Sequence, residues 1–199
     1  MSPSEPSPPY PAEAGSPAAS PALYRLNGHT FRLLLSHTQL QARIQVLAGM
    51  LNLHYAGATA DAPVLLVPVL NGAFRFAGAL MPYLQFPYLL HPVKISTYGG
   101  AQQAQRSPHF QLGPPFPPSA QILILEDIVD RGHTLHFLRQ QLAGIGPIRV
   151  ASLLYKPTCH AYAQPPEYVG FEIESAFVVG YGLDYDEQGR HLNGVYQRT

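Results

Sequence analysis

Tryptophan is absent from this chain of 199 residues, and cysteine occurs once, as Cys159. A lone thiol closes no intramolecular disulfide, and small secreted domains that depend on such bridges carry several, so a reducing, cytoplasmic setting is expected. Net charge is also missing: 12 Lys and Arg balance 12 Asp and Glu. Proteins that grip nucleic acid by its phosphates show a basic excess, so no nucleic-acid partner is expected. No apolar run approaches the ~20 residues that span a bilayer. The first residues lack the basic flank and apolar stretch of a signal peptide, so neither a membrane partner nor export is expected. No internal repeat is found. What remains is a chain that is 46% apolar. At this length folding hides roughly 70% of the unfolded surface, so one core can form without disulfides or a structural metal.

Proline is concentrated rather than spread: of 21, seven lie in residues 1–21 and five between Pro108 and Pro118. The first stretch holds Pro, Ser and Ala with almost no large aliphatic residue, so residues 1–22 read as a disordered tail. The second falls within a Gly-, Gln-, Ser- and Pro-rich segment, 99–119, whose length inside a domain marks a mobile loop. The remainder, 23–199, reads as a single domain. Apolar runs at Val64–Val67, Leu89–Ser96, Ile122–Leu125 and Val150–Leu154 predict strands. Helical spacing predicts helices over His37–Leu53, capped at Ser36 or Thr38, over Ala73–Leu84 and over Thr134–Ala143. Short apolar strands alternating with helices predict a parallel α/β sheet covered on both faces. Ligands of such sheets bind beyond the carboxyl ends of the strands.

The segment ILILEDIVDRGHT, 122–134, runs a buried strand into Glu126 and Asp127, then a third acid, a glycine turn and a helix start. Two adjacent carboxylates point to opposite sides of an extended strand but reach one ligand from a turning one, and sugar hydroxyls or hydrated magnesium suit them. Gly132 allows the sharp turn, while the Thr134 hydroxyl and the open amides of a helix N-terminus favour phosphate. The bland reading is a solvated acidic turn with Thr134 as a helix cap. His133 and His136 lie three apart, yet no third ligand of metal-binding spacing follows.

ILILEDIVDRGHTL resembles the phosphoribosyl-diphosphate motif of type I phosphoribosyltransferases. ASLLYKPT and YVGFEIESAFVVGYGLDYDEQGRHLNGVY are similar to the end of the hypoxanthine-guanine members, and the matches together cover about 63–196. The resemblance implies a twisted parallel sheet with helices on both faces and a small hood formed by the N- and C-terminal segments. It implies transfer of 5-phosphoribosyl from phosphoribosyl diphosphate to a 6-oxopurine, giving IMP or GMP and pyrophosphate. The implied partners are these small-molecule substrates, the cofactor Mg2+, and further copies of the chain in a homodimer or homotetramer.

By the same resemblance Asp130 is the catalytic carboxylate beside the purine, and Arg131, Gly132, His133 and Thr134 ring the 5-phosphate. Glu126 and Asp127 face the ribose hydroxyls and the metal's shell, and Asp184 faces a second hydrated magnesium. Asn71, Gly72 and Arg190 face pyrophosphate. Lys156 donates to the purine 6-oxo group, Phe177 stacks on the base and Val178 reads its edge. Thr97 and Tyr98 begin the lid loop. Three positions depart from the pattern: Arg131 stands where Thr or Ser is usual, and His133 and Asn71 where Lys is frequent. These departures are what a catalytically inactive nucleotide sensor built on the same fold would show. The combination of Asp130, Lys156, Asp184 and Arg190 instead favours the enzyme, since a sensor needs neither a proton-transfer group nor a leaving-group clamp.

Overall fold

The computed structural model describes residues 22–95 and 120–199. Thr97, Tyr98, the 99–119 segment and all of 1–22 except Ala22 lie outside the described residues.

Two antiparallel strands, β1 (Leu23–Leu26) and β2 (His29–Leu35), come first. Asn27 and Gly28 between them both take positive φ, 48° and 77°, the geometry that a two-residue hairpin demands and Asn-Gly supplies. Helix α1 (His37–His54) follows. The Ser36 hydroxyl accepts from the Gln39 amide at 3.3 Å while the Gln39 side chain accepts from the Ser36 amide at 2.9 Å, a reciprocal cap that fixes the start of the helix. Leu40, Ile44, Leu47 and Leu51 form its fully buried stripe.

The rest of the chain alternates strand and helix: β3 (Val64–Leu70), α2 (Ala73–Leu80), β4 (Tyr88–Leu90), β5 (Val93–Lys94), β6 (Gln121–Val129), α3 (His133–Gln141), β7 (Ile148–Tyr155) and β8 (Tyr168–Glu172). The strands form one parallel sheet in the order β4-β3-β6-β7-β8, with β5 pairing farther along β3. The period of two divides its apolar runs between two cores. Val64, Leu66, Leu123, Leu125, Ala151 and Leu153 pack with α1 and α2, whereas Leu65, Val67, Ile122, Ile124 and Val150 pack with Leu135 and Leu138 of α3. Each fully buried Leu or Ile contributes about 1.5–3 kcal/mol.

The remaining strands, β9 (Val178–Val179) and β10 (Val195–Arg198), join the first hairpin in a second sheet ordered β1-β2-β10-β9. This is the expected hood of N- and C-terminal segments. It packs on its own small core of Leu26, Phe31, Val179, Leu192 and Tyr196.

Strands β3 and β7 run longer than the sequence reading and α3 is shifted to His133–Gln141, and three further differences have a local cause or bear on the site. The predicted strand Leu89–Ser96 is split into β4 and β5, because Pro92 between them has no amide to give the ladder. The predicted helix Ala73–Leu84 ends at Leu80 and tightens into a 3-10 turn over Met81–Tyr83, where Pro82 cannot continue the α-helical bonding. The predicted strand Ile122–Leu125 extends to Val129, so both acids of the motif lie inside the strand rather than after it.

Candidate active site

The chain leaves β3 to build β4 and β5 on one side and then crosses to β6 on the other, so strand order reverses between β3 and β6. The crevice at that reversal is where open α/β sheets bind ligands. Asn71 and Gly72 follow β3, and Asp130 to Thr134 follow β6.

Gly132 precedes α3 with φ 83°, and a Cβ there would stand 2.5 Å from the His160 ring. Neither the conformation nor the space admits a side chain. No side chain caps α3, so its first amides remain open toward ligand. A cavity of about 330 Å³ lies over them, lined by Glu126 and the continuous run Ile128–Leu135. Arg131 is exposed on this rim. The His133 ring is engaged through Nδ1 by the Tyr162 hydroxyl at 2.7 Å. Its backbone amide is the part left for a ligand.

Glu126 is 9% exposed, and its buried Oε2 has no hydrogen-bond partner. Burial, reinforced by the neighbouring Asp127, pushes its carboxyl well above the ordinary range. Burial also pushes Asp127 up to about 6, against the pull of the Ile128 amide, which donates to its Oδ1 at 2.9 Å, and of Arg190. The extended strand sends the two acids opposite ways. Glu126 lines the cavity over α3, whereas Asp127 lies against Gly72, where a Cβ would come within 1.8 Å of Oδ2.

Arg190 and Asp184 share the Asp127 side. Arg190 pairs with Asp184 at 2.8 Å and with Glu187 at 3.2 Å, and it donates to the Gly182 carbonyl at 2.9 Å. Gly182 takes φ 104°, and a Cβ on it would meet the Gly72 carbonyl at 2.3 Å, so the two turns touch with no side chain between them. A cavity of about 450 Å³ opens here, with Asn71, Arg75, Gly182 and Arg190 in its wall.

Lys156 follows β7, its amide held by the Val129 carbonyl at 3.0 Å, and its ammonium meets Asp130 at 2.6 Å. The lysine side chain is 8% exposed and the aspartate 46%, so the pair opens to solvent through the carboxylate. Val178 is buried in β9, while Phe177 is 45% exposed and packs edge-on against Tyr185 at 5.2 Å between ring centres.

The fold thus brings Asp130 to Lys156, Glu126 to the phosphate loop, and Asp127, Asp184, Arg190, Asn71 and Gly72 to one edge. Phe177 and Val178 stand on the hood. Sequence reasoning missed three participants. Glu187 is an Arg190 partner; Tyr162 holds His133; Arg75 fastens the Arg190 loop. Among the described residues no three His, Cys, Asp or Glu side chains close into a metal cage.

The family model for the phosphoribosyl transferase domain matches residues 34–186. A hypoxanthine-guanine phosphoribosyltransferase of Mycobacterium avium is 35% identical over 92% of each chain. A hypoxanthine phosphoribosyltransferase of Escherichia coli is 32% identical over 82% of this chain and 93% of its own. Among solved structures, the hypoxanthine phosphoribosyltransferase of Trypanosoma cruzi superposes with a TM-score of 0.78 at 27% identity, over 88% of this chain and 95% of that one. The hypoxanthine-guanine phosphoribosyltransferase of Bacillus anthracis gives 0.72 at 28% identity, over 83% and 96%.

Proposed function

The chain belongs to the phosphoribosyl transferase family, and we propose that the crevice between β3 and β6 is where it performs the family's chemistry on a 6-oxopurine. It is a purine salvage enzyme of the hypoxanthine(-guanine) type, moving 5-phosphoribosyl from phosphoribosyl diphosphate to the base. The inactive-sensor alternative finds no support in these relatives, all named as transferases. The observation that carries our layout of the site is the Asp130–Lys156 pair at 2.6 Å, with Asp130 on the wall of the phosphate-loop cavity.

In this reading the 5-phosphate sits over α3, held by the amides of Gly132, His133 and Thr134 and the Thr134 hydroxyl. Arg131 stands where the family usually has a hydroxyl, and its exposed guanidinium adds a charged fork. The ribose lies along Glu126 and Asp127. Pyrophosphate lies toward Asn71, Gly72 and Arg190. Breaking the anomeric C–O bond develops positive charge on the ribose and negative charge on pyrophosphate, which the Arg190 guanidinium stabilises. The purine gains the C–N bond and loses a ring proton, with Asp130 beside the imidazole nitrogen as the proton-handling group. Lys156 donates to the 6-oxo oxygen, for which the amine of adenine offers no acceptor. Phe177 covers one face of the ring and Val178 meets its edge.

Mg2+ is the cofactor of this reading. The two sides of the strand offer separate donors that suit a hard cation: the unpartnered Glu126 Oε2 toward the α3 cavity, and the Asp127 carboxylate with Asp184, close enough to raise it, on the other side. Asp127 and Asp184 would hold Mg2+ on the pyrophosphate side and Glu126 would hold it on the ribose side, in each case with substrate oxygens and water completing the shell, and when bound it would supply charge neutralisation to the leaving pyrophosphate. The assembly we propose is a homodimer or homotetramer, as the family resemblance implies. No described helix is long and apolar enough to cross a membrane. We place the enzyme in the cytoplasm, a reducing setting that suits its single cysteine. We take 23–199 as one catalytic domain.

The test is turnover with phosphoribosyl diphosphate and Mg2+, offering hypoxanthine, guanine, xanthine and adenine in parallel. The expected result is conversion of 6-oxopurines alone, with kcat falling about 10²- to 10⁴-fold in Asp130→Ala. Turnover of adenine, or an Asp130→Ala variant as fast as the parent, contradicts the roles given to Lys156 and Asp130.

A further inference from the structure

Arg75 lies on α2, one turn beyond the Asn71–Gly72 turn. Its Nη1 donates to the carbonyls of Leu192 at 2.8 Å, His191 at 2.9 Å and, more loosely, Arg190 at 3.4 Å, and its Nη2 donates to the Asn193 side-chain oxygen. The guanidinium plane rests 4.7 Å from the centre of the Tyr181 ring, whose hydroxyl accepts from Gln41 of α1 at 2.6 Å. Four acceptors from four consecutive residues are thus gathered by one planar fork. A lysine ammonium lacks the spread to gather them.

The gathered residues belong to the loop that carries Arg190. That loop is also tied back on itself, because the Gly182 amide donates to the Arg190 carbonyl at 3.1 Å while the Arg190 side chain returns a bond to the Gly182 carbonyl. Gly182 in turn rests on Gly72 without an intervening side chain. The turn after β3 and the 182–193 loop therefore form one unit, with Arg75 as the side chain that spans it.

We propose that Arg75 is a positioning residue for the leaving group: it fixes Arg190 against the Asn71–Gly72 turn and so sets the affinity for pyrophosphate without touching it. Its Nη donors are engaged on the acceptors of the loop that carries Arg190. The inference rests on the pyrophosphate assignment made above.

The test is titration calorimetry of the whole protein with pyrophosphate and Mg2+ and, separately, with IMP, for the parent, Arg75→Ala, Arg75→Lys and Arg190→Gln. A displacement of about 1 Å in a binding group costs up to about a hundredfold. Arg75→Ala is therefore expected to weaken pyrophosphate at least about tenfold and IMP less than about twofold, and Arg75→Lys to recover part of the loss. Unchanged pyrophosphate affinity, or an equal loss for both ligands, overturns the inference. If the alanine variant fails to fold, Arg75→Lys carries the same comparison, with a loss confined to pyrophosphate expected. Arg190→Gln separates the two levels. If it weakens pyrophosphate while Arg75→Ala does not, the positioning role alone fails; if it also leaves pyrophosphate unchanged, the assignment of the loop fails with it.

Discussion

Removing either partner of the Asp130–Lys156 pair should have unequal consequences for stability. The ammonium is the buried partner at 8% exposure, whereas the carboxylate is 46% exposed and reaches water unaided. Asp130→Ala strands a desolvated cation, and breaking a buried pair this way costs about 3–5 kcal/mol. The opening left toward solvent argues for the lower end, about 3 kcal/mol. Lys156→Met leaves a half-exposed carboxylate that solvent accepts, and methionine keeps the apolar stem packed, so the loss is within about 1 kcal/mol. For a domain of this size about 3 kcal/mol lowers Tm by about 6–12 °C. Urea denaturation and calorimetric melting of both single variants and the double variant measure the difference. The double variant should return to the level of Lys156→Met, since no cation is then stranded. If Asp130→Ala costs no more than Lys156→Met, the lysine is solvated without its partner and the argument from burial is wrong.

Asp127 provides a pH-dependent case. Its carboxyl rises from the ordinary 3.8 to about 6 in the folded free protein, a shift worth about 3 kcal/mol. A raised carboxyl contributes stability that is complete below about pH 4 and is lost as pH rises through about 6. In the absence of Mg2+, Asp127→Asn should therefore be more stable than the parent at pH 7.5 and lose that advantage by pH 4, while its turnover is abolished; an advantage independent of pH in urea titrations would contradict this. Gly72→Ala keeps an allowed backbone but drives a Cβ into the Asp127 carboxylate, so the Ile128 hydrogen bond must break at a cost of about 1.5–3 kcal/mol. Its KM for phosphoribosyl diphosphate should rise at least tenfold by steady-state kinetics, and an unchanged KM would show the contact to be dispensable.

Much of this was readable in the sequence because one physical signal dominated each part. Three continuous apolar runs read as buried strands and became β3, β6 and β7, while Leu89–Ser96, broken by His91 and Pro92, gave the short and more exposed β4 and β5. Ser36, one of the two candidate caps, marked the start of α1, whereas the answering bond from Gln39 went unread. The hood was legible only through resemblance. Its strands are short and partly exposed, and β9 is two residues long, so no periodicity develops. The Asn27-Gly28 pair was a local hairpin signal that went unread. Within the site, residues adjacent in sequence were found and those joined only by folding were not. Arg75 lies 115 residues from Arg190, and Tyr162 lies 29 from His133, so nothing local in the chain marks either contact. The opposite aims of Glu126 and Asp127 depended on where β6 ends, and strand ends are the least legible feature of a buried run.

The layout of the crevice is tested most directly by a crystal structure of the protein with IMP bound. The phosphate is expected on the amides of Gly132, His133 and Thr134, the 6-oxo oxygen within hydrogen-bond distance of the Lys156 ammonium, and the base against Phe177. A phosphate seated instead on Asn71, Gly72 and Arg190, with the base turned away from Lys156, would contradict the account.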